Sequence, residues 1–345
     1  MKSGATSQQV AALARVSQSA VSRTFTPGAS ASKETRRKVL AAAKELGYRP
    51  NALARSLVTR RSRIVALVMS YLENQFYPLV IEHLSQQLRK QRYHVLMFIS
   101  EGDSVDGIIS EILQYQVDAI VMASVTLSRR LARSCKDAGV PVLMFNRTPD
   151  VRPSSRWGLS SVTTDNYEGG RMVARLFLER GYERIAYIAG LENSSTSVER
   201  EHGFADALAE AGTRIWGRRV GQYSFEGAQR AARELFARAK RPDAVFVAND
   251  HMAIAVMDVL RTELGLRVPR DVGVVGFDDI PQASWDSYRL TTVTQDVQAM
   301  VGATVELLHE QMGGDLPPRS VVVPCHIVER DSVRKRRPGR ALPRC

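Results

Sequence analysis

The stretch TSQQVAALARVSQSAVSR, residues 6–23, decides how the first part of this 345-residue chain folds. One helical stripe within it is apolar and consists of Val10, Ala11, Leu13 and Ala14. Ser17 stands just before a second predicted helix, where its hydroxyl can accept a hydrogen bond from a free backbone N–H. Val21 is the residue of that second helix that we expect to be buried. The pattern predicts two short helices joined by a tight turn.

The polar side of the second predicted helix carries Gln18, Ser19, Ser22 and Arg23. Amide, hydroxyl and guanidinium groups near a helix N-terminus can hydrogen-bond to base edges in the major groove of DNA. A third helix is predicted from Ser32 to Leu46 and is ended by Gly47. The residues expected to form the core of this unit are Val10, Leu13, Val16, Val21, Val39, Leu40, Ala43 and Leu46. A generic three-helix bundle with a solvated basic face is the alternative interpretation.

The distribution of charge favours nucleic acid over that alternative. Residues 1–63 hold 13 Lys and Arg against 2 Asp and Glu, whereas the whole chain has a net charge of +12. Residues 331–345 add 6 basic residues against 1 acidic residue, so the middle of the chain is mildly acidic. A small basic head on such a body indicates a polyanion-binding unit attached to a unit with another task. Double-stranded DNA is the expected partner of the head.

Several classes of protein are disfavoured by what the sequence lacks. It has no apolar run of about 18 residues, which a membrane span needs, and no signal-peptide pattern, so we expect a cytoplasmic protein without a membrane partner. Its three cysteines are far apart and odd in number, which predicts no disulfide framework. No dinucleotide fingerprint, phosphate-binding loop, nucleophile elbow or Cys/His cluster is present. We therefore expect no cofactor, no metal, no catalytic residues and no enzymatic activity.

The body alternates between apolar strand patterns and helical patterns. Strands are predicted near residues 64–69, 93–99, 119–122 and 142–145, and in a second series near 184–188, 244–247 and 272–277. Continuous apolar runs such as Ile64–Met69 are typical of strands that are buried on both faces of a parallel sheet. Two tandem series of this kind predict two α/β lobes with doubly wound parallel sheets. Ligands of such sheets bind at the carboxyl ends of the strands, which here would face a cleft between the lobes.

The predicted domains follow from these changes of pattern. They are a helix–turn–helix head at 1–48, a hinge helix or linker at 49–62, a first lobe at 63–162 and 292–329, a second lobe at 163–291, and a basic disordered tail at 330–345. Asn51 can cap a short hinge helix that ends near Leu57. An apolar wedge beside basic residues can insert into the DNA minor groove, but a plain linker whose leucine packs on the body is an equally good interpretation of the residues alone.

The head resembles the lactose-repressor (LacI/GalR) family of bacterial transcription regulators. The resemblance rests on VSQSAVSR at 16–23, TRRKV at 35–39, ELGYRPN at 45–51 and ARSL at 54–57. It implies that Gln18, Ser19 and Arg23 read bases and that Leu57 enters the minor groove, with Asn51 beside it. The residues that it implies as phosphate contacts are Thr6, Ser17, Ser22 and Ser32. One departure is Arg15, which occupies a turn position where the family usually has glycine.

The same resemblance extends to about Glu329 and implies an effector site at the strand ends of the body. It also implies a body like the periplasmic binding proteins. The residues carried over to this site are Asn74, Phe76, Tyr77, Asn146, Arg147, Arg200, Tyr223, Asn249 and Asp278. Such a set of polar groups and aromatic rings suits a small polyhydroxylated or carboxylated ligand. Gln75 departs from the family pattern, because proline is usual at that position.

These observations predict a transcription regulator, most simply a repressor, that binds a pseudo-palindromic operator as a homodimer. A small-molecule effector, a sugar or sugar-acid-like compound, would control it from the cleft between the lobes. Two alternatives belong to other classes. A solute-binding protein of transport shares the two-lobed body but has no use for a basic head, and an α/β enzyme needs a catalytic constellation that the sequence lacks.

Overall fold

Three helices make up the described part of the first of two units into which the chain divides, Met1–Ser62 and Arg63–Cys345. The structure is a computed structural model and describes residues 5–26, 28–50, 61–70, 72–100, 106–124, 128–148, 159–237, 239–314 and 317–335. The helices of the first unit are α1 (Ser7–Ala14), α2 (Gln18–Phe25) and α3 (Lys33–Glu45). Each begins after a hydroxyl residue whose side chain accepts a backbone N–H, and these residues are Thr6, Ser17 and Ser32. The hydroxyl caps thus define where the three helices start.

The core of the first unit is smaller than the sequence pattern predicts. Its buried residues are Val10, Ala11, Ala14, Val21, Val39, Ala42 and Ala43. The prediction that Leu13, Leu40 and Leu46 are buried is wrong, since these side chains are 44%, 48% and 37% exposed. Leu40 lies about 100° around the helix from the buried Val39, and a three-helix unit covers only one narrow stripe of each helix.

The second unit contains two sheets, and each sheet belongs to one lobe. The elements of the first stretch are β1 (Ile64–Met69), α4 (Phe76–Lys90), β2 (His94–Ile99), α5 (Asp106–Gln114), β3 (Ala119–Ala123), α6 (Arg129–Asp137), β4 (Val142–Phe145) and β5 (Ser160–Thr164). The elements of the second stretch are α7 (Asn166–Glu179), β6 (Ile185–Ala189), α8 (Ser195–Glu210), β7 (Gly217–Val220), α9 (Phe225–Phe236), β8 (Ala244–Val247), α10 (Asp250–Asp258) and β9 (Gly273–Asp278). The last elements are a short 3₁₀ turn (Pro281–Ser284), β10 (Thr291–Gln295), α11 (Val297–Gly313), β11 (Ser320–Val323) and β12 (Cys325–Val328). Helix α10 continues directly into a π-helical turn, Val259–Glu263.

The strand order is the same in both lobes if the elements are matched in sequence. The first sheet has the order β11-β5-β4-β3-β1-β2 and the second has the order β12-β10-β9-β8-β6-β7. All pairings are parallel except that of β10 with β12, which is antiparallel. The predicted fold is therefore confirmed: a helix–turn–helix head and a two-lobed α/β body with parallel sheets. In each lobe β1 or β6 begins the series and has a later strand on either side, as crossover connections require.

Five strands are absent from the predicted series, namely β5, β7, β10, β11 and β12. Strands β5 and β10 read SSVTT and TTVTQ, yet nearly all of their residues are buried. Their hydroxyls have partners: Ser161 Oγ donates to Ser320 Oγ at 2.8 Å within the first sheet, and Thr164 Oγ1 of the first sheet donates to Gln295 Oε1 of the second at 2.7 Å. Satisfied hydroxyls make such strands compatible with burial, although their composition reads as a loop.

The chain passes between the lobes three times, which corrects the predicted lobe boundaries. In the second sheet β10 pairs with β9, and β12 pairs with β10, so the assignment of all of 292–329 to the first lobe is wrong. Only α11 and β11 of that range belong to the first lobe, where β11 pairs with β5 and α11 packs on α4. The second lobe also starts after Thr164, the last residue of β5, rather than at residue 163.

The first residues of the predicted disordered tail are part of the second lobe. Ser332 and Val333 are 1% and 3% exposed. Ser332 Oγ donates to the carbonyl of Val274 and accepts from the N–H of Thr291, and Arg334 lies over the ring of Tyr182. The prediction of disorder is therefore wrong for residues 330–335, because these contacts tie the segment to β9 and β10. The remainder of the tail lies outside the described residues.

Candidate functional sites

Helix α2 presents the polar residues that the sequence predicts for DNA recognition. Val21 and Thr24 are its buried residues, whereas the side chains on its other faces are exposed. The exposed residues of the predicted set are Ser17, Gln18, Ser19, Ser22 and Arg23. The helix contains no acidic residue, and Arg23 lies in its last turn. An uncharged and basic surface of this kind can approach phosphates and base edges without electrostatic repulsion.

Neighbouring hydrogen bonds orient the start of this surface. Gln18 Nε2 donates to Ser7 Oγ at 2.8 Å, which joins the beginnings of α1 and α2. Ser17 and Ser19 hydroxyls lie 2.9 Å apart. Thr6 and Ser32 are exposed N-caps of α1 and α3, so both stand at helix N-termini, where phosphate oxygens are bound favourably. The remaining predicted DNA contacts, Asn51 and Leu57, lie outside the described residues.

The turn between α1 and α2 has a left-handed backbone at Arg15, the position where the family usually has glycine. Arg15 has φ 54° and ψ 48°, the left-handed region, and its N–H caps the end of α1. A non-glycine residue in this region is disfavoured by about 1 kcal/mol. This chain therefore keeps the left-handed turn geometry despite the substitution.

Eight of the nine predicted effector-binding residues line a single cleft between the two lobes. The described residues that line it are Asn74, Tyr77, Asn146, Arg147, Thr196, Arg200, Tyr223, Asn249 and Asp278. The cleft holds about 340 Å³ of space that atoms do not fill, its opening to solvent included. These residues come from strand ends in both lobes and from the loops and helices that follow them, which is where parallel sheets place their ligand sites.

The ninth predicted residue, Phe76, does not line the cleft. Its ring is 1% exposed and stacks against Phe145 at a centroid distance of 6.5 Å. The prediction that Phe76 faces the ligand is therefore wrong, and it is a core residue of the first lobe. Sequence analysis in turn missed Thr196. The signal available for it was the run Ser194–Ser197 at the start of α8, which is buried throughout.

Hydrogen bonds between lining residues join the two lobes across the cleft. Asn74 Nδ2 of the first lobe donates to Asp278 Oδ2 of the second at 2.9 Å. Arg147 Nη1 of the first lobe donates to Thr196 Oγ1 of the second at 2.6 Å. A backbone contact beside them, from Thr148 N to Ser195 Oγ, measures 3.1 Å. The groups best placed to bind a ligand thus hold the lobes together when they contact each other.

Asp278 is the acceptor at the centre of the cleft. It is 5% exposed, and its Oδ1 accepts from Gln295 Nε2 at 2.6 Å. Arg200 Nη2 lies 3.6 Å from the same oxygen. Burial raises the pKa of its carboxyl group above the ordinary value, while Arg200 and the amides of Asn74 and Gln295 lower it. The carboxylate can accept hydrogen bonds from ligand hydroxyls in place of Asn74.

Arg200 is held rigidly although it is almost completely buried. Its Nε donates to Asn166 Oδ1 at 2.9 Å, its Nη1 donates to the carbonyl of Ala248 at 2.5 Å, and its guanidinium carbon lies 3.5 Å from the centroid of the Phe277 ring. These contacts fix the direction of the remaining donor, Nη2, toward Asp278.

Helix α8 carries Arg200, and glycines let it pack closely against α7. A Cβ on Gly170 would lie 2.2 Å from the carbonyl oxygen of Arg200, and one on Gly203 would lie 1.9 Å from the carbonyl oxygen of Tyr167. Both distances are far below van der Waals contact, so only glycine fits. The close packing of the two helices determines the depth at which Arg200 enters the cleft.

Asn249 and Asp250 follow β8 and have different tasks. Asn249 Oδ1 caps α10 by accepting from Met252 N at 3.0 Å, which leaves its amide nitrogen for the cleft. Asp250 is fully buried behind it and contacts Thr292 Oγ1 at 2.6 Å and Ile280 N at 3.0 Å. Burial first, and then the neighbouring Asp278, raise the pKa of Asp250 to about 8. It is therefore mostly protonated at pH 7.

Three lining residues have backbones in the left-handed region. Asn146 has φ 54°, Tyr223 has φ 55° and Asp278 has φ 121°. Such conformations are unfavourable for non-glycine residues, by about 1–3 kcal/mol each, and they concentrate at ligand sites, where the surrounding structure holds them. Their coincidence in one cleft is an independent indication that it is a binding site.

Comparison with known proteins gives the class to which this architecture belongs. The model for bacterial regulatory proteins of the lacI family matches residues 6–51, and the model for a periplasmic binding protein-like domain matches residues 174–333. The HTH-type transcriptional regulator CelR of Thermobifida fusca is 35% identical over 337 residues, which cover 95% of this chain and 98% of the relative. This chain belongs to the lacI family and is a DNA-binding transcription regulator.

Two solved structures are similar over nearly the whole chain. A transcriptional regulator CelR–cellobiose complex has 32% identity and a TM-score of 0.71, and the match covers 95% of this chain and 99% of that one. The Lac repressor dimer bound to operator and the anti-inducer ONPF has 25% identity and a TM-score of 0.85, with 96% and 99% covered.

The described residues offer neither a metal cluster nor a membrane span. No group of three or more His, Cys, Asp or Glu side chains among them is arranged to hold a metal ion. In the same part of the chain, no helix is both long and apolar enough to cross a membrane.

Proposed function

We propose that this regulator is a repressor that binds a pseudo-palindromic operator as a homodimer, and that a small effector in the interlobe cleft controls it. One observation carries the effector part: residues from six separate segments of the body converge on one cleft and hydrogen-bond across it. A single head makes too few base contacts to select one genomic site, which supports a dimer. The similar structure of the Lac repressor is that of a dimer on its operator.

The effector class follows from the lining. Asp278, Asn249 and Asn74 offer carboxylate and amide groups, and Tyr77 and Tyr223 offer flat ring faces. Hydroxyl groups on a small ring match such a set, as in a sugar or a sugar acid. The similar CelR structure is a complex with cellobiose, a sugar. The proposed ligand takes over hydrogen bonds that the two lobes now make to each other.

The proposed mechanism couples this exchange to DNA binding. When a ligand replaces the Asn74–Asp278 and Arg147–Thr196 contacts, the two lobes settle at a different distance and angle. In a dimer this change alters the separation of the two heads, which must match two half-sites on DNA. Coupling of this kind typically amounts to about 1–3 kcal/mol, or a 5–150-fold change in operator affinity.

The experiment measures operator affinity by fluorescence anisotropy with and without each member of a panel of neutral sugars and sugar acids. Asp278→Ala should still bind the operator, with an affinity altered by the loss of the Asn74–Asp278 contact between the lobes, and should lose the ligand response because the central acceptor is gone. The matched control is Asp286→Ala, which removes a fully exposed carboxylate of the same lobe and should keep both properties. A normal ligand response of Asp278→Ala would contradict the assignment of the cleft.

A further inference from the structure

Arg147 is a buried cation in the cleft whose hydrogen-bond acceptors among the described residues are both neutral. It follows β4 and is 6% exposed. Its Nη1 donates to two neutral acceptors, the carbonyl of Asn146 at 3.2 Å and Thr196 Oγ1 at 2.6 Å. Among the described residues, no carboxylate oxygen lies within 4.0 Å of this guanidinium, and its Nε and Nη2 donate to no other group. Two of its nitrogens are therefore available to a ligand.

The acidic residues around the cleft are already engaged. Asp278 is the only carboxylate in the described lining, and it faces Arg200 and accepts from Asn74 and Gln295. Asp250 behind it has a pKa of about 8, since burial disfavours its charge, and it stays mostly neutral at pH 7. The cleft lining thus has two guanidinium groups and one carboxylate, an excess of one positive charge.

Further acids near the cleft do not compensate Arg147 either. Burial raises the pKa of Glu199, and this side chain accepts from Asn166 Nδ2 at 3.3 Å. Glu73 is largely exposed, and the imidazole Nε2 of His251 lies 3.8 Å from its carboxylate. Neither carboxyl group forms an ion pair with the Arg147 guanidinium, so they do not neutralise the excess positive charge of the cleft lining.

An orphan acceptor stands next to this cation. Asn146 Oδ1 is buried and has no hydrogen-bond partner among the described residues. A buried cation without an ion-pair partner among the described residues, and a buried acceptor without a donor there, both cost free energy, which a suitable ligand recovers. The acceptor needs a donor such as a hydroxyl group, whereas the planar guanidinium fits two oxygens of a carboxylate or a phosphate.

We propose that the effector is a polyhydroxylated organic anion, a sugar acid or a sugar phosphate, whose anionic group accepts hydrogen bonds from Nε and Nη2 of Arg147. Its hydroxyl groups bind Asp278 and Asn146. The inference rests on the proposed effector function and narrows the ligand class within the same cleft. It adds a task for Arg147, which selects acidic over neutral sugars.

The test is isothermal titration calorimetry of the full-length protein with matched probes: glucose against glucuronate and glucose 6-phosphate, and galactose against galacturonate and galactose 6-phosphate. At least one anionic probe should bind about tenfold or more tightly than its neutral counterpart, as expected for charge-assisted hydrogen bonds. The uronate and phosphate arms distinguish the two anionic groups. Tighter binding of a neutral sugar in both sets, or no binding of any anionic probe, would overturn the proposal.

Variants separate the charge from the fold. Arg147→Gln should lose the preference for the anion, so that the anionic and neutral probes of one set bind with similar affinity, while circular dichroism checks that the variant is folded. Arg175→Gln removes an exposed arginine of α7 and should keep the preference. A preference that survives in Arg147→Gln would overturn the role of Arg147.

Measurements of operator binding distinguish a failure of the inferred ligand charge from a failure of the proposed effector function. If a neutral sugar binds and changes operator affinity, the proposed effector function stands and only the inferred charge is wrong. If no probe of either kind binds while the operator is bound normally, the effector function of the cleft fails together with the inference.

Discussion

Polar residues of the head and of the cleft are arranged in opposite ways. On α2 they are exposed, and the residues that support the fold, Val21 and Thr24, lie on the other side of the helix. In the cleft, the binding residues are themselves buried and bonded to each other, as Arg200 and Asp278 are. The head can therefore change its recognition surface with little effect on its stability. In the cleft, binding and stability depend on the same contacts.

The largest effect should come from the helix packing that seats Arg200. In Gly203→Ala, the new methyl group overlaps the carbonyl oxygen of Tyr167, with 1.9 Å between the two atoms. We expect the body to lose about 3 kcal/mol or more of unfolding free energy, since overpacking against backbone cannot relax easily. Denaturant unfolding followed by circular dichroism measures the loss.

Gly302→Ala is the matched control for that variant. Gly302 lies within α11 with nothing within 4 Å of the added Cβ, so alanine should leave stability equal or slightly higher. Equal unfolding curves for the two variants would show that α7 and α8 are not in close contact.

A smaller effect is expected on the head, and it should leave stability unchanged. Arg23→Ala removes an exposed guanidinium from α2, and the discrimination between operator and unrelated DNA should fall by about 1–3 kcal/mol. Arg37→Ala on α3 is the control and should weaken binding to both DNAs alike. Anisotropy titrations with the two DNAs distinguish the cases. An unchanged sequence preference in Arg23→Ala would remove this residue from recognition.

The smallest effect is the change in the unfolding free energy of the body for each pH unit. Because burial raises the pKa of Asp250 from 3.8 to about 8, the folded protein binds a proton in this range that the unfolded chain releases. The stability contributed by protonation is present at low pH and is lost as pH rises toward 8, by at most about 1.4 kcal/mol per pH unit. Asp250→Asn should flatten this slope in unfolding experiments from pH 5 to pH 8. An identical slope in the variant would mean that Asp250 does not titrate there.

The same contrast explains which features the sequence could reveal. Hydroxyl caps such as Ser17 and Ser32 and apolar strands such as Ile64–Met69 depend on local pattern, and they were predicted correctly. The polar strand β5 was missed, because its burial depends on partners such as Ser320 and Gln295 far along the chain. The sequence also did not show that β10 and β12 belong to the second lobe, since strand pairing is not local.

Within the cleft, the resemblance to a family identified residues that composition alone does not distinguish. Eight of its nine residues converge, but Phe76 is core, because the first turn of α4 directs its ring under the strand ends. Thr196 was not recognised, since a serine and threonine run has many structural explanations. Nothing in the local pattern shows that Arg147 forms no ion pair with the described residues, because this depends on the whole arrangement of charges in the cleft.

The most direct test of the proposed function is the selection of genomic DNA fragments by the purified full-length protein at physiological salt. A dimeric regulator should enrich a short pseudo-palindromic sequence, because its two identical heads contact two half-sites. Binding that is sensitive to salt but shows no sequence preference would contradict it, since a basic surface alone produces that behaviour.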